Sequence, residues 1–512
     1  MKKIMKAFFG KKFFAVLLLL LQLAVFYFPF RFLSDYAVYI YGGTSAISFA
    51  VMLYIINRDI NNDIKLTWIL LIAIMPIFGT CLYVYVQADL SSAGIKRNLR
   101  EVNDSTRYLN EDDTYIANTV KESFPSEYGV VSYLRTHAHA PVYKNTYAEY
   151  FPLGDNAYPV MLSELKRATK FIFLEYFIIN EKSEMWQSIL SILREKVHEG
   201  VEVRVIYDGM GSMITVSHSF REKMKKYGIK CKVFAPIRPF LSTYQNNRDH
   251  RKILVIDGKT AFTGGINIAD EYKNTKTLYG HWKDNVIMLK GDSVKSFTLM
   301  FMRLWEVISK EKYDYEKYTS ERNYEFRTTD DGYFIPFEDN PFSDERVAKS
   351  VYTSMIDNSE EYVHIMTPYL VLDEAMRNSL TFAAKRGVDV KILMPHVPDK
   401  WFAFALAHTY YPELLRAGVK IYEYTHGFVH AKTTVSDDCR AVVGTVNYDY
   451  RSLYLHYECA VYMYGGSVVK NIEEDFKKTV ELSKLYTLED YYSSSVFMRF
   501  VGGVLRALAT LM

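Results

Sequence analysis

Apolar and polar residues follow three different patterns along this chain. Near the start they form long uncharged runs, at 13–30, 36–56 and 66–88. A bilayer core about 30 Å thick takes about 20 apolar residues of helix. The second and third runs meet that length and the first comes close, so the pattern predicts two or three transmembrane helices. Pro76 and Gly79 fall inside the third run, which membrane helices tolerate. The stretch 91–132 is polar and only weakly periodic, and it reads as a linker with some helix. Beyond it a third pattern occurs twice. "KFIFLEYFII" (170–179) is a buried-strand candidate, a helical stretch runs to His198, and "GVEVRVIYDG" starts at Gly200. "YVHIMTPYLV" (362–371) precedes a helical stretch to Arg386, and "GVDVKILMP" starts at Gly387. Strand, helix and strand with a glycine closing the helix is a βαβ unit, and two of them predict an internal duplication.

The duplication extends to a polar motif. "DHRKILVIDGKTAFTGGINIA" carries His250, Lys252 and Asp257, and "VHAKTTVSDDCRAVVGTVNYD" carries His430, Lys432 and Asp437, both H-x-K-x-x-x-x-D. Gly264, Gly265 and Asn267 lie 14, 15 and 17 residues after His250, and Gly444, Thr445 and Asn447 lie at the same distances after His430. Side chains on a strand alternate between faces, so each His shares a face with its Lys while Arg251 and Ala431 point away. A lone histidine is ordinarily a hydrogen-bonded core residue. Two matched motifs, each downstream of a βαβ unit, reverse that reading.

Brought together, two imidazoles and two ammonium groups suit a phosphodiester. Lys252, Lys432, Asn267 and Asn447 neutralise and hold the non-bridging oxygens without a metal. One imidazole attacks phosphorus to give a covalent phospho-histidine, and the other protonates the leaving alkoxide and later deprotonates the acceptor. That division of labour asks for environments that push the two histidine pKa values apart. Asp257 and Asp437 complete the motif and are counted with the catalytic residues; their place before turns allows structural pairing as the other reading.

Composition narrows the substrate. Net charge is +3, from 62 basic and 59 acidic residues, which argues against a polyanion-coating or nucleic-acid protein. Aromatics make up 15%, with 42 tyrosines, which suits a protein working at a membrane interface. Cys81, Cys231, Cys439 and Cys459 show no C-x-x-C pair, so neither a zinc site nor a disulfide framework is expected. His137 and His139 in "RTHAHAP" have no third ligand near in sequence. Five lysines among the first twelve residues (Lys2, Lys3, Lys6, Lys11, Lys12) favour a cytoplasmic N-terminus. Three spans would put the rest of the chain outside, whereas two would return it to the N-terminal side. "FPFRFL" offers no small-residue cleavage site, so the first run reads as an uncleaved anchor.

At these residues the sequence resembles the phospholipase D superfamily and, within it, the bacterial cardiolipin synthases. The resemblance rests on the two motifs, on "TPYLVLDEAM" with "RGVDVKILMP", on "GTVNYDYRSLYLHYE" and on "LTWILLIAIMPIFGTCLYVYV", and it covers nearly the whole chain. It implies transfer of a phosphatidyl group between two phosphatidylglycerol molecules, giving cardiolipin and glycerol, with no cofactor. A hydrolase releasing phosphatidic acid is the alternative. By position His250 would be the nucleophile and His430 the general acid/base, while Asp284 and Glu458 would orient the imidazoles. His456 departs from the asparagine of many relatives. Two phospholipase D-like α/β halves are therefore expected, sharing a mixed-sheet core about a pseudo-twofold seam and preceded by transmembrane helices in a multi-pass protein of the cell membrane. The expected divisions are a membrane anchor at 1–95, a linker at 96–131, halves at 132–325 and 326–480, and an interfacial tail at 481–512.

Overall fold

A computed structural model describes residues 34–87, 90–110, 113–236, 246–319 and 332–509, with positions 20, 22–24 and 27. The first apolar run lies almost wholly outside these residues. The chain divides into two compact units: 1–96 with 237–246 and 504–512, and 97–236 with 247–503.

In the smaller unit the second apolar run forms the helix Ser34–Asn57. Its segment Val38–Asn57 is long and apolar enough to cross a membrane, and it alone meets that test among the described residues. The third run does not form the single span expected of it. It makes two helices, Asn62–Ile74 and Pro76–Gln87, folded back on each other so that the Trp68 and Tyr83 rings meet at 5.3 Å. At 1.5 Å per residue the arms rise about 20 and about 18 Å, short of the bilayer core. Pro76 lacks an N–H and cannot extend the preceding helix. Gly79 then permits the fold-back, since a Cβ there would sit 2.8 Å from the Ile72 Cα.

The stretch read as a linker with some helix forms the helices Leu90–Thr106, Thr114–Ser123 and Pro125–Thr136, the first of which crosses the division between the units. Two mixed sheets follow. The strands of the first half are β1 (Thr146–Phe151), β2 (Phe171–Tyr176), β3 (Glu202–Asp208), β4 (Lys230–Phe234), β5 (Arg248–Asp249), β6 (Lys252–Ile256), β7 (Thr260–Gly264), β8 (His281–Lys283) and β9 (Val286–Gly291). Those of the second are β10 (Tyr333–Asp339), β11 (Tyr362–Met366), β12 (Asp389–Pro395), β13 (Lys420–Tyr424), β14 (Gly427–Val429), β15 (Thr433–Ser436), β16 (Arg440–Gly444), β17 (His456–Tyr464) and β18 (Ser483–Tyr486).

The strand order of the first sheet, β1-β9-β7-β6-β2-β3-β4, is repeated by β10-β17-β16-β15-β11-β12-β13 in the second. Each half thus has its own mixed sheet. In both halves the βαβ units form as expected. Strands β2 and β3 pair in parallel, as do β11 and β12. The crossover helix Glu184–His198 buries Trp186, Ile189, Leu190 and Leu193 at helical spacing and is capped by the Ser183 side chain, which accepts from an otherwise orphaned N–H. Strand β18 pairs with the edge strand β13, so the sheet of the second half reaches into the segment expected to be a tail.

Two short ladders join the halves. β5 pairs in parallel with the start of β17, and β14 pairs in parallel with β8. The exchange is reciprocal: each half lends the strand preceding its motif to the other. Arg251 fastens the same seam. It points away from His250, as alternation requires, and pairs with Glu175 at 2.6 Å and with Glu338 of the second half at 2.8 Å.

Candidate active site

The exchange of strands places the motif histidines. The His250 N–H donates to Tyr457 O at 2.9 Å, and the His430 N–H donates to Lys283 O at 2.7 Å. Each imidazole thereby reaches a carboxylate of the opposite half. His250 Nδ1 lies 3.0 Å from both oxygens of Glu458, and His430 Nδ1 lies 2.7 Å from Asp284 Oδ2. All four side chains are buried. Gly265 has no side chain for a steric reason: a Cβ there would collide with the Asp284 carboxylate. Thr445, the counterpart of Gly265, donates its hydroxyl to Glu458 at 2.5 Å.

Electrostatics fix the tautomers. Burial, with a contribution from Lys252, pushes His250 down to about 3 against the pull of Glu458. Burial and then Lys432 push His430 down to about 4. Burial alone would raise Glu458 and Asp284, but the paired imidazoles pull both below the ordinary carboxylate value. Each imidazole is therefore neutral, donates Nδ1–H to an ionised carboxylate and leaves Nε2 with its lone pair. The expected separation of the two histidine pKa values is not present, because both rings are equally buried beside a lysine. A phosphodiester anion supplies the negative charge that raises a neighbouring imidazole.

Lys252 and Lys432 are buried, and each ammonium donates to the backbone carbonyl of its own motif histidine. Burial lowers Lys252 to about 8 and Lys432 to about 7, and the charge of Lys252 depresses Lys432 and His430 in turn. The two lysines and the two imidazoles of the motifs thus meet in one site. As pH rises through about 7 and about 8 the lysines lose their protons and their hold on an anion. The expected result is a kcat/KM that falls on the alkaline side with an apparent pKa in that window, since kcat/KM reports the free enzyme. Rate profiles on either side of neutrality check it, and a flat alkaline limb refutes it.

The asparagines are held rather than free. Asn267 accepts from the Ile178 N–H at 3.0 Å and donates to the Tyr272 hydroxyl at 2.8 Å. Asn447 donates to Asp449 at 3.0 Å. One amide hydrogen remains on each. Asp257 and Asp437 are not brought to the histidines. Each sits at the far end of its strand in left-handed backbone (φ 55° and 53°). Asp257 accepts the N–H groups of Thr169, Lys170 and Phe171, and Asp437 those of Glu360, Glu361 and Tyr362. They tie the start of β2 and of β11 to the following turn, which is a structural duty.

Sequence reasoning missed the aromatic walls. Phe177 meets the His250 ring edge-on at 5.1 Å, and Tyr272 and Trp282 flank His430 at 5.7 and 5.5 Å. Trp282 could have been found from its place two residues before Asp284. His456 lies beside the pair, its ring 5.5 Å from His250 and its Nδ1 3.6 Å from Glu458. His250, His456 and Glu458 form the one His/Asp/Glu/Cys group with metal-ligand spacing among the described residues; their contacts are those of a carboxylate shared by imidazoles.

A two-part α/β fold with paired His-Lys motifs, each oriented from the opposite half, defines a phospholipase D-like protein. The family profile described as "Cardiolipin synthase, PLD-like domain" matches residues 161–305 and 352–480, and the chain belongs to that family. It is similar to the cardiolipin synthase of Halalkalibacterium halodurans, at 31% identity over 481 residues covering 91% of this chain and 92% of the relative. It is 32% identical to that of Clostridium perfringens over 452 residues, covering 87% and 93%. An uncharacterized protein of Streptococcus mutans is 47% identical over 461 residues, covering 90% and 99%. In fold it resembles the crystal structure of phosphatidylserine synthase from Haemophilus influenzae, with a TM-score of 0.54 and 14% identity over 71% of this chain and 93% of that one.

Proposed function

We propose that the protein is a cardiolipin synthase, a phosphatidyltransferase that joins two phosphatidylglycerol molecules into cardiolipin and glycerol. The observation that carries this reading is the pair of buried imidazoles, each held through Nδ1 by a carboxylate of the other half, with both Nε2 atoms left for chemistry. His250 Nε2 attacks phosphorus, the bond from phosphorus to the glycerol oxygen breaks, and protonated His430 gives its Nε2 proton to that oxygen. A headgroup hydroxyl of a second phosphatidylglycerol then attacks the phospho-histidine. His430 takes the hydroxyl proton, and the phosphorus–nitrogen bond breaks to free His250. Lys252, Lys432, Asn267 and Asn447 hold the non-bridging oxygens, and the lysines supply the positive charge that a metal provides elsewhere.

In this reading the two halves pack about a pseudo-twofold seam, and residues 1–95 anchor the enzyme as a multi-pass protein of the cell membrane. Helix Ser34–Asn57 supports the anchor. The amphipathic segment Val496–Ala507, with Val496, Phe497 and Phe500 exposed, supports an interfacial C-terminus.

Product analysis tests the reading. Purified protein in phosphatidylglycerol vesicles is expected to yield cardiolipin and glycerol in equal amounts. Phosphatidic acid with glycerol and no cardiolipin would make it a hydrolase instead.

A further inference from the structure

A lipid-transferring site must reach a phosphodiester whose acyl chains remain in a bilayer. The surface around the histidines carries a device for that. Strands β3 and β12 hold the same place in their sheets, and large apolar side chains stand in the open soon after each, in a turn after β3 and at the start of the helix Trp401–His408 after the short loop that follows β12. After β3, Met213 is 56% and Ile214 88% exposed; after β12, Trp401 is 57% exposed with the partly exposed Phe402 beside it.

Neither loop hangs free. The base of the first is fastened by Ser212, which donates to Phe177 O at 3.1 Å and accepts from the Ile179 N–H at 3.0 Å. Gly211 lies so close to the Phe177 ring that a Cβ would clash with it, and Phe177 is the residue that meets His250 edge-on. The second loop is fastened by Asp399, which accepts from the Tyr369 hydroxyl at 2.6 Å, while Lys400 lies 5.1 Å over the same ring. Tyr369 packs against the buried cluster that contains Tyr272, and Tyr272 flanks His430. Each loop thus stands one or two side chains from a motif histidine.

We propose that these two loops form a pair of lips that dip into a lipid bilayer and set the depth of the site at the headgroup layer. The proposal rests on the cardiolipin synthase reading. The occupant is lipid rather than protein because the apolar tips continue from a site read as taking a lipid phosphodiester. Trp401 with the neighbouring Lys400 is also the aromatic-cation combination that settles at an anionic interface.

The test uses the full chain reconstituted in phosphatidylglycerol vesicles. Ile214→Cys, in a Cys81→Ser background whose parent is the labelling control, carries an environment-sensitive fluorophore. Brominated acyl chains are expected to quench it, and an unquenched label overturns the proposal. The double variant Ile214→Asp with Trp401→Asp is expected to lose about tenfold or more in transfer between long-chain phosphatidylglycerols. It should stay within about twofold of wild type on a dihexanoyl phosphatidylglycerol supplied as monomers, which also shows that it folds. Equal loss on both substrates, or loss on neither, overturns the lips. So does a change of oligomeric state in the variant, which would make the face a contact between copies. A quenched label at position 214, beside wild-type protein that turns over neither lipid, keeps the lips and overturns the functional reading instead.

Discussion

Replacing His250 by alanine abolishes phosphatidyl transfer, with an expected loss of about ten-thousandfold or more in kcat. His430→Ala loses a similar amount on phosphatidylglycerol, because its alkoxide leaves badly without a proton. The two variants part on a phosphatidyl ester of a good leaving group such as p-nitrophenol. There the first step needs no acid, so His430→Ala releases the phenolate in a burst and keeps an acid-labile phosphatidyl group on the protein, whereas His250→Ala does neither. Mass analysis of the trapped protein locates the group. A trapped group on His430 in His250→Ala would exchange the two roles while leaving the paired site intact.

The second large effect falls on the carboxylates. Glu458→Gln preserves volume but can turn an amide N–H toward His250 Nδ1, which then becomes the acceptor, and the lone pair leaves Nε2. The expected cost is a hundredfold to about ten-thousandfold in kcat with KM nearly unchanged, as for other imidazoles held by an acidic partner. Asp284→Asn does the same to His430. That carboxylate also accepts from the Asn285 N–H at 2.8 Å, which an amide oxygen can still do, so the fold should survive. A variant whose KM rises while kcat stays put would show that the carboxylates shape the pocket and do not position the rings. A loss of cooperative unfolding would mean the same for stability.

Much of this was legible in the residues. The βαβ units, the paired motif and the equal spacing to Asn267 and Asn447 are periodic signals, and the repeated strand order carries the duplication of the βαβ units. The positions of Asp284 and Glu458 came from resemblance, and the geometry puts both against the imidazoles. What stayed hidden has a common cause. The strands lent across the seam, β5 and β14, have only two and three residues, too short for any alternation to register. The same lack of local signal hid the Phe177, Tyr272 and Trp282 walls. The hydrophobic run 66–88 misled for a different reason. Hydropathy counts apolar residues but not the bend at Pro76 that lets Trp68 and Tyr83 meet. Asp257 and Asp437 looked catalytic because they keep step with the histidines. They keep step because each half needs the same turn tied to the same strand.

The reciprocal ladders β5–β17 and β14–β8 have a mechanical consequence. Neither repeat owns a complete acid-base pair; each holds one ring by its neighbour's carboxylate. A small tilt between the repeats would therefore lengthen the Glu458–His250 and Asp284–His430 contacts together. The two chemical steps are geared to one joint, so anything that braces or pries that joint would act on nucleophile and proton donor alike.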